Sequence, residues 1–485
     1  MTLWTPFSES NFWLKQSDYY NTQTSSIWEK TPHTVTNNAF IAKKLAQICE
    51  AISPQSPTIE VGSGIGEFAF HYCKSRKKPF QFICTDYATR SVKTLESLKD
   101  FHPWRYAYIH FHQLDCLNYK SLPTHSNHFP IFIFNYVFDT LPHDAYIKLS
   151  NNHIQTVLTS NTQCEDPDGL IHLSANNKLA YRTEKKALPP HIEDYIKSHW
   201  EAGQQLTLPT GALRSLAHIR KHHPKALILF NDKTCQSPDN IAYQDGFSLL
   251  QEGSVSCTVN THAIKHLLQP DFMIETPIDS SFDLNISTGL LGWGFSNHDV
   301  SHIHNVWKAH QQNTIYDYAL INRELALEHS QISYPMIKRW LTQYDHDPYL
   351  FLNCTQNLYH HIHTGSSLLH QDVHQLLLKI KATHFSLNER LIPALSSCYR
   401  VMNDLDSAEV LMRTYALSQP DNHHYHKEMA HLQFMRTHHQ EALAHINQAR
   451  LHQPECKQMH ALEIQVNQIL SERKKTKPHS SNTTK

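Results

Sequence analysis

The sequence predicts a doubly wound α/β domain followed by an all-helical repeat domain. Three observations lead there. Residues 57–136 alternate strand-like and helix-like patterns. Three of the twelve glycines fall within five residues, at the first strand-to-helix junction. Beyond about residue 300 strand signals fade, and a 34-residue period is visible towards the C-terminal end.

The elements follow in order. Thr58-Ile59-Glu60-Val61 reads as a short strand, Glu67 to Lys77 as a helix, Phe80 to Thr85 as a strand and Thr89 to Leu98 as a helix. Tyr106 to His112 is the third strand. Ile131-Phe132-Ile133-Phe134-Asn135 is the fourth, almost wholly apolar, as a strand covered on both faces must be. Residues of about 145–205 break the alternation. Ala145 to Leu149 and Leu170 to Ser174 are short strands set among Asn, Asp and Ser, which predicts a β-rich insertion. A helix from Gly211 to His222 leads into Ala226-Leu227-Ile228-Leu229-Phe230, a further core strand. Ser254 to Asn260 and Leu284 to Thr288 are weaker strand candidates. The expected division is 1–325 for the α/β domain, with core motifs in 57–142, then 326–470 for the helical domain. The Lys/Ser/Thr-rich stretch 471–485 reads as a disordered tail.

Composition narrows the function. Apolar residues at 40% and charged residues at 18% afford a core and exclude global disorder. Lys and Arg total 43 against 44 Asp and Glu, so there is no general electrostatic footprint for nucleic acid or an anionic membrane. Ten scattered cysteines form no CxxC pair, against a zinc ribbon or a thiol–disulfide site. The N-terminus lacks a basic segment before an apolar run, and no stretch approaches a membrane span, so a reducing cytoplasm is the expected setting. The 39 histidines spread over the whole length. Neither His360-His361-Ile362-His363 nor His370 with His374 carries the glutamate a zincin needs, and the histidines are read as solvated surface, with no metal expected.

The chemistry concentrates in Glu60-Val61-Gly62-Ser63-Gly64-Ile65-Gly66. A strand ends in an acid, alternate glycines follow and a helix begins, as when backbone must come close to a ligand at a helix N-terminus. A dinucleotide fingerprint would need its third glycine where Glu67 stands, and an acid there repels a pyrophosphate. Asp86, at the end of the second strand, is placed to accept hydrogen bonds from vicinal ribose hydroxyls, or simply to cap the next helix. Asp115 follows the third strand, as a ligand contact or a turn residue. Asp139 and Asn135 lie just past the fourth strand, as acceptor-side groups or as turn and strand-end residues.

The spacing acid-x-G-x-G-x-G resembles motif I of class I S-adenosylmethionine-dependent methyltransferases. The resemblance implies S-adenosylmethionine as cofactor, held by Glu60, Gly62, Gly64, Gly66 and Asp86, with Asp115 near the adenine. Asn135-Tyr136-Val137-Phe138-Asp139-Thr140-Leu141-Pro142 resembles the Asn-x-x-Phe-Asp-x-Leu-Pro stretch of MidA-like methyltransferases. That family includes the mitochondrial complex I assembly factor that methylates a protein arginine. Pro209-Thr210-Gly211, Phe230-Asn231-Asp232-Lys233 and Val259-Asn260-Thr261-His262-Ala263-Ile264 look like blocks of a less studied bacterial group that joins such a domain to helical repeats. One departure stands out. Tyr136 replaces the Glu that many MidA-like proteins carry, which removes a carboxylate able to hold a guanidinium.

In the helical part Ala408 and Ala442, and likewise Pro420 and Pro454, stand 34 residues apart, which resembles tetratricopeptide repeats. Such repeats imply a concave surface for protein partners. The expected function is a cytoplasmic methyltransferase acting on a protein substrate recruited by the repeats, with Asp139 and Asn135 on the acceptor side. Two rivals stay open: a non-catalytic scaffold with a degenerate methyltransferase fold, and a small-molecule methyltransferase.

Overall fold

The computed structural model describes residues 4–10, 13, 36–98, 107–120, 122, 127–149, 153–160, 169–174, 177–238, 249–252, 254–279, 285–312, 314–327, 332–385, 388–417 and 422–475. The chain forms two compact units, Met1–Asp317 and Tyr318–Lys485.

The first unit is built on a sheet of seven main strands: β1 (Thr58–Val61), β2 (Phe80–Asp86), β3 (Ala107–Gln113), β4 (Ile131–Asn135), β5 (Ala226–Cys235), β6 (Phe272–Glu275) and β7 (Ile286–Trp293). Their order across the sheet is β3-β2-β1-β4-β5-β7-β6. The first five pair in parallel, and β7 runs antiparallel to both β5 and β6. Strand order therefore reverses between β1 and β4. The crevice beyond the C-terminal ends of those two strands is where doubly wound sheets bind ligands. Ile131 to Phe134 and Leu227 to Phe230 are fully buried, as the apolar runs require. Phe134 and Phe138 stack at 4.5 Å, continuing this core past the end of β4.

The helices of this unit are α1 (Ala39–Ile52), α2 (Glu67–Ser75), α3 (Thr89–Ser97), α4 (Pro190–His199), α5 (Thr210–His222), α6 (Thr261–Leu268) and α7 (Asn297–Ala309); α8 (Ile315–Ala326) begins in it. The insertion is an antiparallel sheet in the order Gln205–Leu208, Asp144–Lys148, Ile154–Ser160, Asn177–Glu184, Gly169–Ser174, with Thr5–Pro6 added on Ile154–Ser160. Its strands run in the chain from Asp144 to Leu208. β7 is longer and more central than its short Leu284–Thr288 signal implied. Two features account for this: Gly289 and Gly292 interrupt its pattern, and Gly289 lies opposite Phe230, whose ring fills the space a side chain would take.

The second unit continues with α9 (Tyr334–Gln343), α10 (Pro348–Thr364), α11 (Ser367–Lys381), α12 (Leu391–Val401), α13 (Leu405–Ala416), α14 (His423–Met435), α15 (His439–His452) and α16 (Lys457–Lys475). The 34-residue spacing has a backbone counterpart. Asn403 and Thr437, 34 apart, both take left-handed φ, at 61° and 62°. Asp404 N then donates to Tyr399 O and His438 N to Gln433 O, both at 2.9 Å, closing α12 and α14 in the same way. Ala408 and Ala442 are both fully buried. The expected tail is corrected in part: α16 carries the chain to Lys475, because Leu470 still packs on the apolar cluster around Ala442 and Val466. Residues 476–485 lie outside the described residues. No described helix is long and apolar enough to cross a membrane.

Candidate active site

The glycine turn joins β1 to α2. Gly62, Gly64 and Gly66 have φ of 73°, 55° and 84°, so all three need the left-handed region. Ser63 N donates to Thr85 O at 2.8 Å, and Gly66 N to Ser63 O at 2.8 Å, pinning the turn to the end of β2. A Cβ on Gly62 would meet Val137 Cγ2 at 2.9 Å, so the turn also lies against the segment after β4.

Three carboxyls surround this turn. Glu60 is 1% exposed, its Oε2 has no hydrogen-bond partner, and burial pushes its pKa up to about 8, the Ser63 hydroxyl opposing and the Asp86 charge adding. Asp86 is half-buried at the end of β2. Its Oδ2 accepts from Gly64 N at 3.0 Å and its Oδ1 from Ala88 N at 2.9 Å. Burial raises its pKa, and those two donors hold it back. It does not cap α3, whose N-cap is Ala88. Glu67 occupies the first position of α2, buried, with Oε1 4.0 Å from His71 Nε2. Asp115 caps the short 3-10 turn Cys116–Asn118: Oδ1 accepts from Leu117 N at 2.9 Å and Oδ2 from Asn118 Nδ2 at 2.6 Å. The neighbouring Leu114 N donates to Asp86 O at 2.9 Å, so Asp115 stands beside the end of β2.

A second group gathers beyond β4 and β5. Tyr136 takes φ 56°, a strained value for an aromatic residue, and its N–H donates to Asn231 O at 2.8 Å. Asn135 Oδ1 accepts from Asn231 Nδ2 at 3.2 Å, and Asn231 Oδ1 accepts from Thr288 Oγ1 at 2.6 Å, so Asn135 is tied across three strand ends. Asp139 is 2% exposed, with Oδ1 unpartnered, and its backbone N–H ties it to the Asp232 carboxylate. Asp232 accepts from Phe138 N at 2.9 Å and Asp139 N at 3.3 Å through Oδ2, and from Lys233 N at 2.9 Å through Oδ1. Burial raises both pKa values, with Lys233 opposing at Asp139 and the Asp139 charge adding at Asp232. Two such carboxyls buried together hold one proton between them. Burial, then the charges of Asp139 and Asp232, also raise the Tyr136 hydroxyl well above its ordinary range.

Asp232 was not among the site residues expected from sequence. The only signal for it was the Phe230-Asn231-Asp232-Lys233 block, which carries no motif of its own. Two other blocks now have a packing reason. Gly211 N donates to Pro142 O at 2.7 Å, and a Cβ there would lie 2.8 Å from Leu141 Cβ. Asn260 caps α6 by accepting from Ala263 N at 2.8 Å. Asp144, another acid near β4, accepts from Ser8 N at 3.2 Å and Thr210 Oγ1 at 2.8 Å, which makes it a structural tie.

The turn fits a cationic ligand and rejects an anionic one. A pyrophosphate would meet the carboxylates of Glu67 and Asp86 with Glu60 behind them, whereas an ammonium or sulfonium would offset that charge and favour an ionised Glu60, and vicinal hydroxyls could donate to Asp86. The residues present therefore suit S-adenosylmethionine.

No family model and no curated protein matches the chain. Among solved structures, it matches an uncharacterised protein from Burkholderia thailandensis at 13% identity and TM-score 0.41, over 61% of this chain and 88% of that one. Another structure from Burkholderia thailandensis, of a member of the same superfamily and likely methyl transferase bound to S-adenosyl-homocysteine, matches at 12% identity and TM-score 0.40, over 61% and 89%. A SAM-dependent methyltransferase from Aquifex aeolicus matches at 10% identity and TM-score 0.28, over 55% and 96%.

Proposed function

We propose that the chain is an S-adenosylmethionine-dependent methyltransferase whose helical unit recruits a protein substrate. The observation that carries the reading is the left-handed glycine turn at the β1/β4 switch point, ringed by Glu60, Glu67 and Asp86. S-adenosylmethionine supplies a methyl group on a sulfonium, open to direct displacement. Asp86 accepts the ribose hydroxyls, Glu60 faces the amino-acid end, and the glycine backbone permits close approach. Asp139 and Asp232 receive or share the proton that a nucleophile sheds, and Lys233 biases the pair towards its charged form. The second carboxyl of that pair offsets the glutamate replaced by Tyr136, so a nitrogen acceptor is favoured. Asn135 holds the strand end, since its Oδ1 is already engaged.

Calorimetry with S-adenosylmethionine tests the reading. The parent chain should bind, and Asp86→Ala should lose roughly 1.5–3 kcal/mol, about one to two decades in affinity. No binding by the parent removes the cofactor assignment and leaves the scaffold, and equal binding by the variant removes Asp86 from the ribose. Asp139→Asn should keep cofactor affinity and lose most methyl transfer, measured with a labelled methyl group in a cell lysate. Label appearing in protein separates a protein substrate from a small molecule.

A further inference from the structure

Outside the glycine turn, three histidines converge. His199, the last residue of α4, meets His262 and His266 of α6, each offering a ring nitrogen within 4.8 Å of the others. Ring centroids lie 4.9 Å apart for His199 and His262, 4.3 Å for His199 and His266, and 4.2 Å for His262 and His266. This is the one such group among the described residues. The histidines singled out in the sequence have other partners: His361 Nε2 bonds Ile332 O at 2.7 Å and His370 Nε2 bonds Ile362 O at 3.0 Å.

Several features build the site. His262 and His266 are four residues apart, so they share one helix face. The buried start of α6 is fixed by the Asn260 cap. An apolar cluster containing Tyr195, Ile196, Trp200 and Ala263 locks α4 against α6 and so holds His199 over that face. Tyr195, 4% exposed, bonds His262 Nδ1 at 3.0 Å through its hydroxyl, leaving Nε2 of that ring for a ligand bond. Such an outer partner, which fixes a ligating histidine, is a usual companion of metal sites. Three imidazoles with no carboxylate or thiolate suit zinc and its transition-metal neighbours, and do not suit calcium or magnesium. Three nitrogens of a tetrahedral zinc at about 2.0–2.1 Å sit about 3.4 Å apart. Closing from 4.8 Å is within the reach of side-chain rotation at the exposed His266.

We propose that His199, His262 and His266 form a zinc site that clips α4, which connects two strands of the inserted sheet, to α6, which comes after β5 in the chain. Four-coordinate zinc then keeps one position for water. The proposal departs from the compositional reading of the histidines, because that reading gives no reason for three of them to meet on two helices held by a buried tyrosine.

The test uses the full chain stripped with chelator and titrated with zinc against a chromophoric competitor. The parent should bind one tight equivalent, and cobalt in its place should give the visible bands of a four-coordinate site. His266→Ala and His199→Ala should each weaken zinc at least about 100-fold. Tyr195→Phe, which keeps the packing, should weaken it about 10- to 100-fold. Equal stoichiometry and affinity in the parent and the His199→Ala/His266→Ala double variant would overturn the site. Histidine acylation of the parent, mapped by mass spectrometry, decides independently of any variant. Zinc should protect all three histidines, and unchanged reactivity at all three would overturn the proposal.

Discussion

Glu60 combines a full side-chain burial with an unpartnered oxygen, and the consequence is measurable as a pH dependence. Its ordinary value is 4.5, and in the folded chain burial lifts it to about 8. Between those values the folded chain holds a proton that the unfolded chain has released. Its contribution to stability is therefore fully present below about pH 4.5 and is lost as pH rises through about 8. Glu60→Gln should flatten that fall, seen as a smaller difference between denaturant midpoints at pH 5 and pH 8.5 than in the parent. The same carboxyl makes a prediction for the proposed complex. An ammonium brought beside a protonated Glu60 lowers its pKa, so binding near pH 7 should release a proton. The observed binding enthalpy should then vary with the ionisation enthalpy of the buffer, and this variation should shrink in Glu60→Gln. A parent whose binding enthalpy is the same in every buffer would remove Glu60 from the cofactor's surroundings.

The turn between β1 and α2 acts as an element through two separable constraints. Gly62 needs φ 73°, and the space where its Cβ would sit is taken by Val137 Cγ2 at 2.9 Å. Gly62→Ala should cost roughly 1–2 kcal/mol from the left-handed backbone alone, with the clash added. Val137→Ala in the same chain should recover the clash and leave the backbone cost. Thermal unfolding of the single and double variants reads both parts, and complete recovery in the double variant would show that φ at Gly62 is not a constraint. This turn was legible in the sequence because scarcity made its glycines conspicuous, and because a strand, an acid and a helix start flanked them. The strands β1, β2 and β4 were legible for the same kind of reason, being short apolar runs next to turn signals. The strand Ile154–Ser160, the strand Asn177–Glu184 and β6 were not: Gln, Thr and Ser interrupt the first, Asn, Lys, Arg and Glu break up the second, and β6 is only four residues long. Nor was the Asp139–Asp232 pair. Its members lie 93 residues apart in sequence, and only the register of β5 on β4 brings them together.

At the scale of the whole chain, the change from strands to helices and the division between units do not coincide. Strand signals end near residue 300, yet α7 belongs to the first unit: Ile303 and Trp307 are buried, and His302 Nε2 bonds Ala51 O at 3.3 Å. The first unit ends at Asp317, inside α8, where the sequence suggested about 325. Composition records where strands stop, and packing decides where a unit stops. Ile315 is 3% exposed and Tyr316 donates to Ile286 O at 2.8 Å, so the first turn of α8 serves the first unit. Tyr318 donates to Asp347 Oδ1 at 2.7 Å and Asn357 Nδ2 to Leu325 O at 3.2 Å, so the rest of α8 serves the second. Every residue proposed to hold the cofactor precedes residue 120. A fragment ending at 326 keeps the whole of α8 and should bind S-adenosylmethionine with the affinity of the full chain. A fragment ending at 309 lacks Ile315 and the Tyr316 bond and should unfold at a lower temperature than the longer one. Calorimetry and thermal melts on the two fragments check this. If the longer fragment neither folds nor binds while the full chain does, the first unit depends on the helices after 326, and the division at Asp317 does not mark an independently stable domain.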